Sequence, residues 1–146
     1  MNAPPRERLY SPELLALATS LADYPLVEDL ALRGEARSRT CGSTVLLGLD
    51  PGQDGTIARI GLRVSACAVG QASAAIFARE AAGRSASGIS RALATIDAWL
   101  GGQGGLPDWP GMAALAPARA FPSRHGAIVL PWKAALDALS KADAAG

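Results

Sequence analysis

A chain of 146 residues is about one domain long and can bury a single core without staples. Its apolar residues, 49% of the total, form no uninterrupted run near the roughly 20 that a membrane helix requires, which excludes a spanning segment. The 14 basic and 13 acidic side chains leave a net charge of +1, no electrostatic footprint for nucleic acid or an anionic membrane surface, so proteins, metals and small molecules remain as partners.

The amino-terminal segment Met1-Asn2-Ala3-Pro4-Pro5-Arg6 lacks the apolar stretch of a secretory leader, so a cytoplasmic location is expected. In chain order, Leu14, Leu15, Leu17, Ala18 and Leu21 recur at helical spacing. With Ser11 as N-cap and Pro12 at the first position they predict a helix over 12–22. Polar residues 35–40 fit either an edge strand or an extended lead-in. Two β-rich runs, 44–49 and 56–64, flank Asp50-Pro51-Gly52-Gln53-Asp54-Gly55 and read as an antiparallel hairpin. In the second run Ile60, Leu62 and Val64 alternate with Arg59, Gly61 and Arg63, so one sheet face is expected to be wet.

Beyond the hairpin the period becomes helical over 67–82, ending near Gly83, and again over 87–100, with Ile89, Leu93, Ile96, Trp99 and Leu100 on one stripe before Gly101-Gly102. Glycine and proline recur through 101–122, which predicts a loop-rich insert with a short helix over 112–115. The last helix is expected over about 124–141, its start drawn toward Val129 because Pro131 fits only a first turn. Trp99 and Trp132 fall on apolar stripes and read as core; Trp109, between Pro107 and Pro110, reads as packed rather than partner-facing. These elements predict an α+β fold: one domain spanning 1–146, with a small antiparallel sheet of about three strands and helices packed on one face.

The chemistry is expected at Cys41 and Cys67. Cys41 precedes the first hairpin strand and Cys67 follows the second, and a hairpin returns the chain to near its start, so the two thiols can meet. In a reducing compartment two such cysteines point to metal or sulfur chemistry, or to simple burial, rather than to a disulfide. A helix start at Cys67 also offers N–H groups and a dipole that attract an anionic sulfur.

Thr40-Cys41-Gly42-Ser43 resembles the Cys-Gly-Asp segment of the U-type iron–sulfur cluster scaffold proteins, the NifU, IscU and SufU kind. The segment from Ser65 through Cys67 to Ala74 is similar to their second cysteine segment. The run from Phe121 to Leu136 is similar to the SufU pattern Phe-Pro-x-Arg-x-x-Cys-x-x-Leu-x-Trp-Lys-Ala, and the insert over 101–122 also fits SufU. The resemblance implies an iron–sulfur cluster assembly protein with a NifU N-terminal-like fold, not an enzyme, that takes sulfur from a cysteine desulfurase.

The resemblance also implies a metal site of two further donors beside the two cysteines, and here those positions read Ser43 and Ala127. Aligned instead through the His-Cys pair of IscU, His125 matches and Gly126 stands at the cysteine position. Tetrahedral zinc needs four donors and a cluster needs thiolates or imidazoles. Cys41, Cys67 and His125 are therefore the candidate ligands for zinc, iron or a labile cluster, with Ser43 and Arg124 as supporting residues. Exposed placement of His125 at a helix start is the competing expectation. Two functional readings stand: a scaffold or sulfur acceptor on Cys41 or Cys67, and a metal-free pseudo-scaffold or regulatory module. A hydrolase is disfavoured, since one histidine and no evident nucleophile, base and orienter set are present.

Overall fold

The computed structural model describes residues 9–39 and 42–145. The elements are α1 (Pro12–Ser20), a 3-10 turn over Leu21–Asp23, β1 (Leu32–Arg37), β2 (Thr44–Pro51), β3 (Ile57–Ser65), α2 (Ala68–Arg79), α3 (Ala86–Leu100), a 3-10 helix over Met112–Ala120 and α4 (Pro122–Ala145). The strands form one antiparallel sheet in the order β1-β2-β3, so the fold is α+β as expected. No helix among the described residues is long and apolar enough to cross a membrane.

Local chemistry starts the helices where the sequence predicts. The Ser11 hydroxyl accepts the Leu14 N–H at 3.1 Å with Pro12 at the first position of α1, and the Ser85 hydroxyl accepts the Gly88 N–H at 3.1 Å at the start of α3. The small residues of α2 let it sink into the middle of the molecule, where every residue from Val69 to Ala78 except Gln71 is buried. On its inner side a Cβ added at Gly70 would lie 3.2 Å from that of Ala127, so α2 and α4 approach closely there. The Ser73 hydroxyl, fully buried, donates to the Ile128 carbonyl at 2.6 Å and ties the two helices at the same level.

Val45, Leu47 and Leu49 of β2 point into the core beneath α4. Gly34 lets β1 pass under that helix, since a Cβ there would run into the Ala134 carbonyl. The outer edge of β1 is covered by side chains of α4. The Asp137 carboxylate accepts the Glu35 N–H at 2.9 Å and the Lys141 ammonium donates to the Arg33 carbonyl at 2.6 Å, which occupies ladder groups that an open edge would expose. At the centre, Phe77 stacks on Trp109 at 5.4 Å between centroids, and both meet Trp132 edge-on at 5.2 and 5.3 Å. The Trp109 indole N–H donates to the Ile76 carbonyl at 3.0 Å, so Trp109 is packed, as predicted.

Four expectations need correction. The face of the sheet away from the helices is not simply wet: Gly48 and Gly61 are buried beneath the connection 24–30, where a Cβ on Gly61 would collide with the Pro25 carbonyl. The Leu62 N–H donates to the Tyr24 carbonyl at 2.9 Å, adding that connection to β3. The edge strand begins at Leu32, not at residue 35, because its pairing runs from Leu32 opposite Leu49 to Arg37 opposite Thr44. Helix α4 begins at Pro122 and continues through Pro131; the missing proline N–H costs one helical bond, which the contacts with α2 and the sheet outweigh. The 3-10 helix extends to Ala120 through Pro117, well past the short helix expected within the insert.

Candidate functional site

The register of the hairpin builds the site. Thr44, the first residue of β2, pairs with Ser65, the last of β3, so the segments entering β2 and leaving β3 lie side by side at one end of the sheet. Cys41 lies outside the described residues. Of the residues that follow it, Gly42 adopts a left-handed φ of 70°, and Ser43 is buried with its carbonyl accepting the Ser38 N–H at 2.9 Å. A left-handed residue suits glycine, and it turns the chain sharply into β2.

Cys67 occupies the N-cap of α2 with extended backbone, its thiol free and half-buried, and its side chain makes no capping hydrogen bond. The Gln71 side-chain amide donates to the Ala66 carbonyl at 3.0 Å, which fixes the turn between β3 and α2. Beside Cys67 opens a cavity of about 270 Å³ lined by Gly42, Ser43, Ser65, Ala66, Cys67 and Arg124. Arg124 reaches it from the first turn of α4 and donates to the Tyr10 hydroxyl at 3.2 Å. Four of the five predicted site residues are described, and three of them, Ser43, Cys67 and Arg124, line this one cavity.

His125 lies elsewhere. One residue beyond Arg124 on the helix, it turns to a second cavity of about 760 Å³ at the junction of α3, the 3-10 helix and α4, walled by Leu100, Pro117, Phe121 and Pro122. Its Nε2 is 2.8 Å from the Arg119 carbonyl. Arg119 in turn donates from Nε to the Trp99 carbonyl at 2.7 Å. A rotation of about 100° per residue separates neighbours on a helix, and this separates Arg124 from His125.

Ala127 is buried in the contact with Gly70, one turn along α2 from Cys67, and supplies no donor atom. Among the described residues the side-chain polar groups lining the Cys67 cavity are therefore one thiol, the hydroxyls of Ser43 and Ser65, and a guanidinium. Among the described residues no cluster of three histidine, cysteine or acidic side chains could hold a metal ion. A neutral hydroxyl and a cation do not replace the anionic and imidazole donors that zinc requires, so this described set does not fit a four-donor zinc site. The signal sequence reading missed is Ser65, which stands two residues before Cys67 at the strand end, where an outward polar residue borders the site.

No protein-family model and no curated protein matches the sequence significantly. Solved structures do. A nitrogen-fixing NifU-like protein (N-terminal) from Brucella abortus matches with a TM-score of 0.85 and 27% identity, over 98% of this chain and 100% of that one. A protein from Fervidobacterium islandicum AW-1, described as an iron–sulfur cluster assembly scaffold for the SUF system, matches with a TM-score of 0.78 over 90% of this chain and 96% of that one. At 20% identity this second likeness is one of fold.

Proposed function

We propose that this chain, which belongs with the U-type iron–sulfur scaffold proteins, serves cluster assembly as a sulfur acceptor without a resident metal ion. The family likeness supports a general role in iron–sulfur cluster assembly. The finer reading rests on the donor set at the sheet end: a free, half-exposed thiol faces a cavity that also holds a guanidinium and hydroxyls, with Ala127 contributing no donor. In this reading a cysteine desulfurase presents its persulfide to the cavity. The Cys67 thiolate attacks the terminal sulfur, a new S–S bond forms at Cys67, and the desulfurase thiolate leaves. Arg124 balances the charge of the exchanging sulfurs, and Cys41 serves as the second thiol. His125, engaged with the Arg119 carbonyl, stays outside the proposed donor set.

The test uses untagged, reduced protein. Elemental analysis is expected to find neither zinc nor iron in stoichiometric amount. After incubation with a desulfurase and cysteine, mass spectrometry of alkylated peptides should find added sulfur on Cys67, absent in C67S. Stoichiometric zinc would overturn the metal-free part of the reading, and two unmodified thiols would overturn sulfur acceptance itself.

A further inference from the structure

The fold's sheet end holds a cation where a metal site would gather anions. Arg124 is half-buried, lines the Cys67 cavity, and donates to the Tyr10 hydroxyl. Among the described residues it has no carboxylate partner, and no acidic residue lines the cavity. Arg63 lies two residues before Ser65 and on the same sheet face, and it too has no ion-pair partner among the described residues. A half-buried guanidinium with no carboxylate beside it among the described residues can gain a charge-assisted hydrogen bond from an anion in the cavity. Its planar fork suits an oxyanion, and the Ser65 hydroxyl on the same cavity can donate a further hydrogen bond.

A thiol in the same cavity restricts which anion makes chemical sense. We propose that the cavity binds a small sulfane-sulfur anion of the thiosulfate class and that Cys67 takes its outer sulfur. The inference rests on sulfur acceptance at Cys67 and extends it to a diffusible donor. The Cys67 thiol gives its proton to solvent. The thiolate attacks the outer sulfur, a Cys67 S–S bond forms, the S–S bond of thiosulfate breaks, and sulfite leaves with the bonding pair. Atoms and charge balance with no oxidant or reductant, since the persulfide anion and sulfite carry the charge that the thiolate and thiosulfate brought. The guanidinium holds the sulfonate end, so the outer sulfur is directed at Cys67. A volume of about 270 Å³ admits such an anion with several of its waters.

The experiment incubates reduced, desalted full-length protein with thiosulfate and follows sulfite release, together with sulfur gain on Cys67 by intact-mass and peptide analysis. A rate that saturates with thiosulfate, is lost in C67S, and has a half-saturating concentration raised by roughly tenfold or more in R124Q is the expected result. R124K should recover part of the binding because it retains the charge without the fork. Circular dichroism of each variant separates loss of binding from loss of fold, and competition by sulfate should raise the half-saturating concentration only while Arg124 is present. No sulfur gain, or a gain that is linear in thiosulfate and equal in R124Q, overturns the inference. If a desulfurase still loads Cys67 while thiosulfate does not, the inference falls and the proposed function stands.

Discussion

The two ends of the hairpin differ in how their charges are settled. At the turn end, Asp50 accepts the Ala31 N–H at 2.8 Å and pairs with Arg59 at 2.6 Å, Arg59 also reaches Asp29 at 3.1 Å, and Asp54 accepts from both the N–H and the hydroxyl of Thr56. Each of these ions has a partner inside the molecule. At the thiol end, Arg124 donates to the Tyr10 hydroxyl but has no carboxylate partner among the described residues, and it lines a cavity. A closed network contributes to stability and offers nothing to a ligand; an open one can gain its missing interactions only from a partner.

The strongest way to break the comparison is to close the open end with donors. Replacing Ser43 with aspartate and Ala127 with cysteine supplies an anionic oxygen and a thiol at the two positions where the family resemblance places donors. The double variant is expected to bind zinc with a Kd below about 1 μM, on the order of 8 kcal/mol of binding free energy. Thiosulfate acceptance should fall in parallel. Calorimetric titration checks it, and a variant that folds yet ignores zinc would show that the donor set is not what separates this site from a metal centre. The next effect is structural. Gly34→Ala forces a methyl group into the Ala134 carbonyl and the backbone of Ala138, at a point where β1 and α4 are locked together by the Asp137 and Lys141 hydrogen bonds. A cost of about 3 kcal/mol is expected in urea unfolding, the upper range for overpacking. A loss below about 1 kcal/mol would mean that α4 can slide on the sheet, and the fixed position of Arg124 would lose its support.

Much of this was legible from residue pattern, and the failures have physical causes. The hairpin, α2 and α3 were readable because a single periodicity dominates each, with glycine or a serine cap at the boundaries. The sheet end was readable because hairpin geometry brings the start of β2 against the end of β3, which puts Ser43 and Cys67 on one cavity. What pattern did not carry was tertiary. Nothing local in residues 24–30 says that they cover Gly48 and Gly61, since the signal is the close approach those glycines permit. Pro131 inside α4 looks like a break until the packing on either side of it is known. Adjacent positions Arg124 and His125 look like one cluster in sequence, yet the helix turns them to separate cavities.

The smallest predicted effect tests the closed end. The N–H of Ala31, then the hydrogen bond from Arg59, hold the Asp50 carboxyl below its ordinary value of 3.8. A carboxyl depressed in the folded state contributes stability that is fully present above its unfolded value, and the contribution is lost as pH falls through the lower, folded one. Asp50→Asn removes that contribution at every pH where the native carboxyl is ionised. The variant should therefore have a lower urea midpoint than the parent at neutral pH, and the gap should narrow below pH 3.8 as the parent's carboxyl takes up its proton. Arg124→Gln should show no such acid-dependent gap, because no carboxylate among the described residues pairs with it. Equal gaps for the two variants across the acid range would remove the distinction between a settled end and an open one.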